Sequence, residues 1–472
     1  MAENLTTQKL TTQKLLVPFA GEGSGTAELS WGQQAVWRGV LGRGGPIWNT
    51  GVRPLDEGTT VEDVADFIGF LMGRHQSMRT KLRTEVEPML QVVYDSGEIE
   101  LEIIDTDEGA DPFAVAKELE TTWEYGPLDF ENEWPIRIAV VTHQGVPRYR
   151  VMVLHHSVAD GFGVTNMLDD YAARDPVTGE ASGPVTAMQP LEEARWQTSP
   201  VGQRRSKMAV QYWERVLRAI PLRQFPEPEI KPEAQYGHLE YDSRAAYLAL
   251  QVIADRTGLD TSPVLLAAYC VGLAKTTGHN PTAPRLYVNN RFRPRLGDAV
   301  NSIAQTAPCL VDVAGGTFDE VARRTYLASL NAFKNAYFEP AAIREILAAV
   351  SEERGGLIDV NTVYNDRRML TPREVAQARA QAQAQGGGEL TDALPTPEQV
   401  RAALALTTVH WEEKDEPQEN CHVHILDAPD SINLVLINDN HYASRAMVEQ
   451  VLTLMEEILV EAACDPTVGT GV

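Results

Sequence analysis

The stretch VMVLHHSVADGFGV, Val151–Val164, constrains this chain more than any other. Apolar residues Val151–Leu154 run straight into two histidines, then an aspartate, then two glycines ahead of a helix-like segment. That order predicts a buried strand turning sharply into a helix. Adjacent strand residues face opposite sides, so only one of His155 and His156 can point into any one cavity. An imidazole is neutral near pH 7 and can take a proton from an attacking amine or hydroxyl, as acyl transfer requires of a general base. Gly161 lies at the turn, where an N–H unobstructed by a side chain can donate to the oxyanion of a tetrahedral intermediate. The plain alternative is a strand end in a packed interior, its rings satisfied by backbone carbonyls. Paired histidines with Asp and Gly at this spacing favour the catalytic reading by about four to one. A zinc site is less favoured, since HHxxxD could supply ligands but HExxH is absent.

The remaining sequence bounds the setting. With 41 Lys+Arg against 66 Asp+Glu, the net charge of −25 excludes a general nucleic-acid binder. The 472 residues fit two units of about 200 residues. Cys270, Cys309, Cys421 and Cys464 are widely spaced, as expected of reduced thiols. The N-terminus lacks a basic region leading into an apolar core, and the apolar run Val264–Ala274 is too short for a membrane span. A cytoplasmic protein with no membrane partner is the expectation. The tandem LTTQK at the start reads as a frayed terminus.

Period-2 and period-3.6 patterns alternate along both halves. In the first, Ser30 caps a helix, Thr59 and Glu62 form a capping-box signature, and strands are expected at Arg79–Thr84, Met89–Tyr94, Ile99–Ile104, Pro135–Thr142 and Arg148–Leu154. A helix is expected from about Pro112. Crowded Pro, Gly, Ser and Thr across Arg174–Pro190 mark a connection. The second half predicts helices at Gln203–Ile220, Ser243–Thr257 and Ser262–Thr277 and from Ser444. Its strands are expected at Leu286–Asn290, Ala307–Val313, Leu357–Tyr364, Leu406–Trp411, His422–Leu426 and Ile432–Ile437. The boundaries follow as a flexible terminus, 1–28, an N-terminal subdomain, 29–175, a linker, 176–200, and a C-terminal subdomain, 201–472. An Ala/Gln-rich piece with a tri-glycine, 372–399, reads as an insertion and a lid.

HHSVADG matches the HHxxxDG motif of the chloramphenicol acetyltransferase-like superfamily, and the chain resembles a free-standing condensation domain of nonribosomal peptide synthesis. LSWGQQAVW, Leu29–Trp37, resembles the family's N-terminal motif, and GRHQSMRTKL, Gly73–Leu82, resembles RHxxLRT through Arg74, His75, Arg79 and Thr80. Weaker echoes follow: PLEEARW with the YW pair Tyr212 and Trp213, LYVNNRF with Asn290 for the usual Gly and Arg291 keeping the Arg, and NSIAQT with Asn301 for Gly and Gln305 for Asn. YFE, Tyr337–Glu339, keeps the end of another motif.

The resemblance implies an α/β fold of two acetyltransferase-like subdomains in a V, with a central channel. It makes His156 the active-site histidine, as base or as positioner of the nucleophile, and counts His155 with His156 and Gly161 among the catalytic residues while having it support the strand end. Asp160 pairs structurally with Arg291 across the domain boundary, and Ser157 and Asn365 approach the substrate channel. The donor is an acyl thioester on the phosphopantetheine of an acyl or peptidyl carrier protein, and the acceptor a small amine or alcohol. No cofactor or metal of the chain's own is implied. The acidic surface requires a local basic or apolar patch for carrier docking. Two rivals stand beside this: an acyl-CoA-dependent O- or N-acyltransferase of the same superfamily, and a non-catalytic recruitment module. Cys421, His422 and His424 read as strand residues rather than ligands, because alternation separates the cysteine from the histidines.

Overall fold

The computed structural model describes residues 11–229, 231–368, 394–414 and 420–472. The chain divides into two compact units: one runs to Arg205 and regains Asn289–Gln305, and the other comprises Ser206–Val288 and Thr306–Val472. The sequence boundaries assign Asn289–Gln305 to the C-terminal subdomain, whereas its packing groups it with the first unit.

In the first unit the order is β1 (Thr11–Ala20), β2 (Gly25–Glu28), α1 (Trp31–Arg43), β3 (Trp48–Pro54), α2 (Val61–Arg74), β4 (Thr80–Arg83), β5 (Leu90–Val93), β6 (Ser96–Thr106), α3 (Pro112–Tyr125), β7 (Ile136–His143), β8 (Val146–His155), α4 (Gly161–Ala172) and α5 (Pro190–Thr198). A five-stranded sheet has the order β1-β6-β7-β8-β3, and β2-β5-β4 form a smaller one. Strand β7 and the second half of β8 are buried on both faces, which is why Ile138–Val141 and Val151–Leu154 read as apolar runs. Ile136, Ile138, Val140 and Leu154 pack under α2 and α4 with Phe67, Leu71 and Met167. Ala139, Val141, Val151 and Val153 pack under α3 with Ala116 and Trp123.

Two expectations are corrected here. Residues 11–20 are not frayed: β1 pairs antiparallel with β6 from Thr11 opposite Asp105 to Ala20 opposite Ser96. Its alternation buries Val17 and Phe19, and the ladder satisfies its backbone. The capping box sits one residue later than expected, with Thr60 and Asp63 in place of Thr59 and Glu62. Residues 1–10 of the terminus, and 372–393 of the inserted piece with its tri-glycine, lie outside the described residues.

The second unit contains α6 (Pro200–Ala219), β9 (Tyr236–Ser243), α7 (Arg244–Thr257), α8 (Thr261–Thr277), β10 (Arg285–Val288), β11 (Gln305–Pro308), α9 (Phe318–Lys334), α10 (Pro340–Glu353), β12 (Thr362–Asp366), α11 (Pro397–Ala402), β13 (Thr408–Lys414), β14 (Cys421–Leu426), β15 (Ile432–Asp439) and α12 (Arg445–Cys464). Its seven-stranded mixed sheet runs β11-β10-β12-β14-β15-β9-β13. In β15 burial alternates strictly, with Ile432, Leu434 and Leu436 inward against α7, α8 and α12. The four cysteines are free thiols, and burial pushes Cys270 and Cys421 up to about 12. Among the described residues no single helix is long and apolar enough to cross a membrane.

Candidate active site

The turn from β8 to α4 is gripped by the start of β3. Ile47 C=O accepts from His156 N–H at 2.8 Å, and the Asn49 side-chain amide donates to Ala159 C=O at 2.9 Å. Trp48 stands opposite His155 in the ladder. The ring of His155, fully buried, lies edge-on to Trp48 at 5.5 Å and to Phe130 at 5.0 Å. Ser157 N–H donates to His155 Nδ1 at 3.2 Å, and Ser157 Oγ lies 2.8 Å from the same nitrogen. Nδ1 is therefore an acceptor and the ring proton sits on Nε2. Burial, with His156 adjacent, drives the His155 pKa down to about 3, so this ring is neutral. Grouping His155 with the catalytic residues is thus corrected: it is walled in by aromatic rings and holds the turn. Ser157 is likewise buried, with its hydroxyl against the His155 ring.

His156 follows the last strand residue and is only partly buried. Gly161 is exposed and opens α4, with Asp160 as N-cap. Asp160 Oδ1 accepts from Gly163 N–H at 2.9 Å, and Asp160 C=O accepts from Val164 N–H. No acceptor meets the Gly161 N–H among the described residues, so it points out at the positive end of the helix dipole.

Asp160 is a hub. Arg291 reaches its two oxygens at 2.8 and 3.0 Å, and Ile303 N–H and Ala304 N–H donate to Oδ2 at 3.0 and 2.9 Å. Arg291 also donates to the carbonyls of Asn289, Ala299 and Asn301. Contrary to expectation, this pair lies within the first unit, because Asn289–Gln305 folds back onto it. Asn290 has a left-handed φ of 57°, which explains how Asn stands where the family motif has Gly. Its side chain is pinned to Ile303 C=O at 2.9 Å.

The other motifs brace neighbouring elements of the first unit. Arg74, at the end of α2, forks onto Asp170 of α4 at 2.8 and 3.1 Å. His75 is buried beside that pair, and burial lowers its pKa to about 4. Arg79 is also buried and caps the carbonyls of Glu22, Gly23 and Tyr94. Ser30 and Gln33 form a reciprocal capping box on α1. Gly32 on that helix meets Ser302 so closely that a Cβ would lie 1.6 Å from its carbonyl oxygen. Sequence reasoning missed Gly32 and Asn49, whose contacts are with residues distant in the chain.

In the second unit Asn365 lies on β12, its amide 3.2 Å from His424 Nδ1 on β14. His422 and His424 share a face, ring centroids 6.4 Å apart, while Cys421 turns into the core. Among the described residues no three His, Cys, Asp or Glu side chains gather as a metal site would require.

Residues 43–410 match the family model described as the condensation domain. The chain belongs to the condensation-domain family. Members of this family are amide- and ester-forming acyltransferases of natural-product synthesis that act on phosphopantetheine-borne substrates. The phosphinothricin tripeptide synthetase PhsC of Streptomyces viridochromogenes is 25% identical over 314 residues, 64% of this chain and 29% of that protein. The chain spans less than a third of that relative and 6% of the Alternaria alternata synthetase TES. Among solved structures, a condensation domain that mediates chain release from the enacyloxin polyketide synthase superposes with a TM-score of 0.67 at 16% identity, covering 94% of this chain and 84% of that one. The X-domain from teicoplanin biosynthesis, also solved in complex with OxyB, gives 0.66 at 16% identity, covering 96% and 98%. These likenesses show the acetyltransferase-like fold of the condensation family.

Proposed function

We propose that this condensation domain transfers an acyl or aminoacyl group from the phosphopantetheine thioester of a carrier protein to an amine or hydroxyl acceptor. The acceptor attacks the thioester carbonyl and His156 takes its proton. Gly161 N–H donates to the oxyanion, and collapse expels the pantetheine thiolate, which recovers the proton from the His156 imidazolium. The amide or ester and a free thiol are the products. The observation that carries this reading is the pairing, on one braced turn, of a partly exposed His156 with an outward N–H of Gly161 that meets no acceptor among the described residues. His155, Ser157, Asp160 and Arg291 hold that turn, which is the preorganisation electrostatic catalysis needs. Asn365 is a polar contact for the acceptor, and the chain acts in the cytoplasm. The subdomain boundary that follows from this reading runs near Arg205, with Asn289–Gln305 returning to the first unit.

The likeness to an X-domain solved with OxyB supports a second reading, in which the fold recruits another enzyme. Intact-mass spectrometry of carrier proteins loaded with acyl groups, incubated with amines and alcohols, separates the readings. Unloading that yields an amide or ester and is abolished by His156→Ala supports condensation. Consumption of acyl-CoA without any carrier supports the acyl-CoA acyltransferase. Binding of a carrier or synthetase without turnover supports recruitment.

A further inference from the structure

Glu193, on α5, is fully buried and is bound by side-chain amides: Asn301 Nδ2 donates to Oε2 at 2.8 Å and Gln197 Nε2 to Oε1 at 3.0 Å. The Asn301 amide also donates to Met188 C=O at 3.2 Å. Asn301 stands where the family motif has Gly, so this chain carries a side chain there, and Glu193 receives it. The backbone around Asn301 is the frame of the Asp160 hub. Asn301 C=O accepts from Asp160 N–H at 3.4 Å and from Arg291 at 3.3 Å, and just beyond it Ile303 and Ala304 donate to the Asp160 carboxylate. On the other side Gly32 presses on Ser302, and Gln197 Oε1 accepts from Trp31 N–H at 2.9 Å, tying α5 to the start of α1.

We infer that Glu193 and Asn301 form a positioning pair, which clamps residues 301–304 so that their N–H groups hold Asp160 and thereby set the His156–Gly161 turn. The pair touches no substrate. A buried carboxylate accepting from two amides fixes both donors in direction, because leaving either unmade strands a polar group away from water. The inference rests on the proposed role of His156, and two experiments separate the one from the other.

The first is hydrogen exchange followed by mass spectrometry on the full chain, which needs no substrate. Glu193→Gln keeps the volume and replaces one acceptor with a donor that faces the Asn301 amide. Exchange is expected to accelerate about tenfold in peptides covering 301–305 and 158–165, with β15 unchanged. Unchanged exchange in those two peptides overturns the inference whatever the catalytic role of His156. The second experiment reads turnover of a carrier-bound acyl thioester. Glu193→Gln and Asn301→Asp are each expected to lower kcat about tenfold with KM unchanged. The double variant exchanges the two roles at this one contact, so that the introduced glutamine amide donates to the introduced carboxylate while the Met188 carbonyl loses its donor, and it recovers part of the lost kcat. Wild-type kcat in both single variants, with His156→Ala inactive, overturns the positioning role and leaves the catalytic reading standing. Activity retained by His156→Ala fails the catalytic reading instead, and the exchange result then decides the clamp alone. If Asn301→Asp does not fold, Glu193→Gln is read by itself against the same two outcomes. A kcat loss that the double variant fails to recover overturns the pair as a specific device.

Discussion

The Arg291 guanidinium meets the Asp160 carboxylate at 2.8 Å, across 131 positions of sequence, with both side chains buried. Asp160 is also the N-cap of α4 and accepts from Gly163, Ile303 and Ala304 N–H groups, so one carboxylate joins the histidine turn to the returning segment. Arg291→Ala strands that charge, and a loss of roughly 3–5 kcal/mol in unfolding free energy is expected from urea titration. Arg291→Lys should recover less than half, because an ammonium cannot span both oxygens and also reach the carbonyls of Ala299 and Asn301.

His156 is only partly buried, so His156→Ala is expected to leave the unfolding midpoint nearly unchanged. Acyl transfer from a loaded carrier should fall by about 10²–10⁴-fold, the range for loss of a general base. A large loss of stability alongside the activity would instead mark His156 as a packing residue.

Burial holds His155 near a pKa of about 3 and His75 near about 4, whereas unfolding returns both to their ordinary value of 6.5. Between those limits the unfolded chain binds more protons. Stability from these groups is therefore present above pH 6.5 and lost as pH falls toward 3–4, on the order of 5 kcal/mol for His155. Chemical denaturation at pH 7.5, 6.0 and 5.0 should show the decline, and His155→Asn, which keeps an acceptor for Ser157, should remove the His155 share and leave that of His75.

Gly161 and Gly163 sit two residues apart and make opposite demands. A Cβ on Gly161 meets nothing within 4 Å, whereas one on Gly163 lies 3.0 Å from Ala159 Cβ and Asn301 O and 3.1 Å from Arg291. Gly163→Ala should cost about 1–3 kcal/mol in thermal or urea unfolding, and Gly161→Ala almost nothing. Gly161→Pro is the sharper test. Proline suits the first position of a helix, and Asp160 already has the extended ψ of 177° that a following proline requires. The chain should fold with its N–H donor gone, and transfer should fall about 10²-fold if that N–H binds the oxyanion.

Much of the local structure was legible because its causes are local. The buried parts of β7 and β8 follow from the apolar runs Ile138–Val141 and Val151–Leu154, and the helix starts at Ser30, Pro112, Ser243 and Ser444 follow from capping chemistry. Strand β1 was missed because its first four residues are polar and it gains its order from a ladder with β6, about 85 positions away. Strands β2, β3 and β9 and helices α9 and α10 gave no signal strong enough to place them.

Local sequence chemistry dictated the strand-to-helix turn and the presence of an imidazole and an unobstructed N–H on it, and the family resemblance implied the pairing of Asp160 with Arg291. Alternation also required that His155 and His156 part company. Which of them is sealed in was a tertiary decision, since the cage of Trp48, Phe130 and Ser157 assembles from three separate segments. So was the return of Asn289–Gln305 to the first unit, which brings Arg291, Ile303 and Ala304 onto Asp160 and Asn301 onto Glu193. Hydrogen bonds and burial depend on distance in space, and no pattern along the chain encodes which buried carboxylate a remote amide will find.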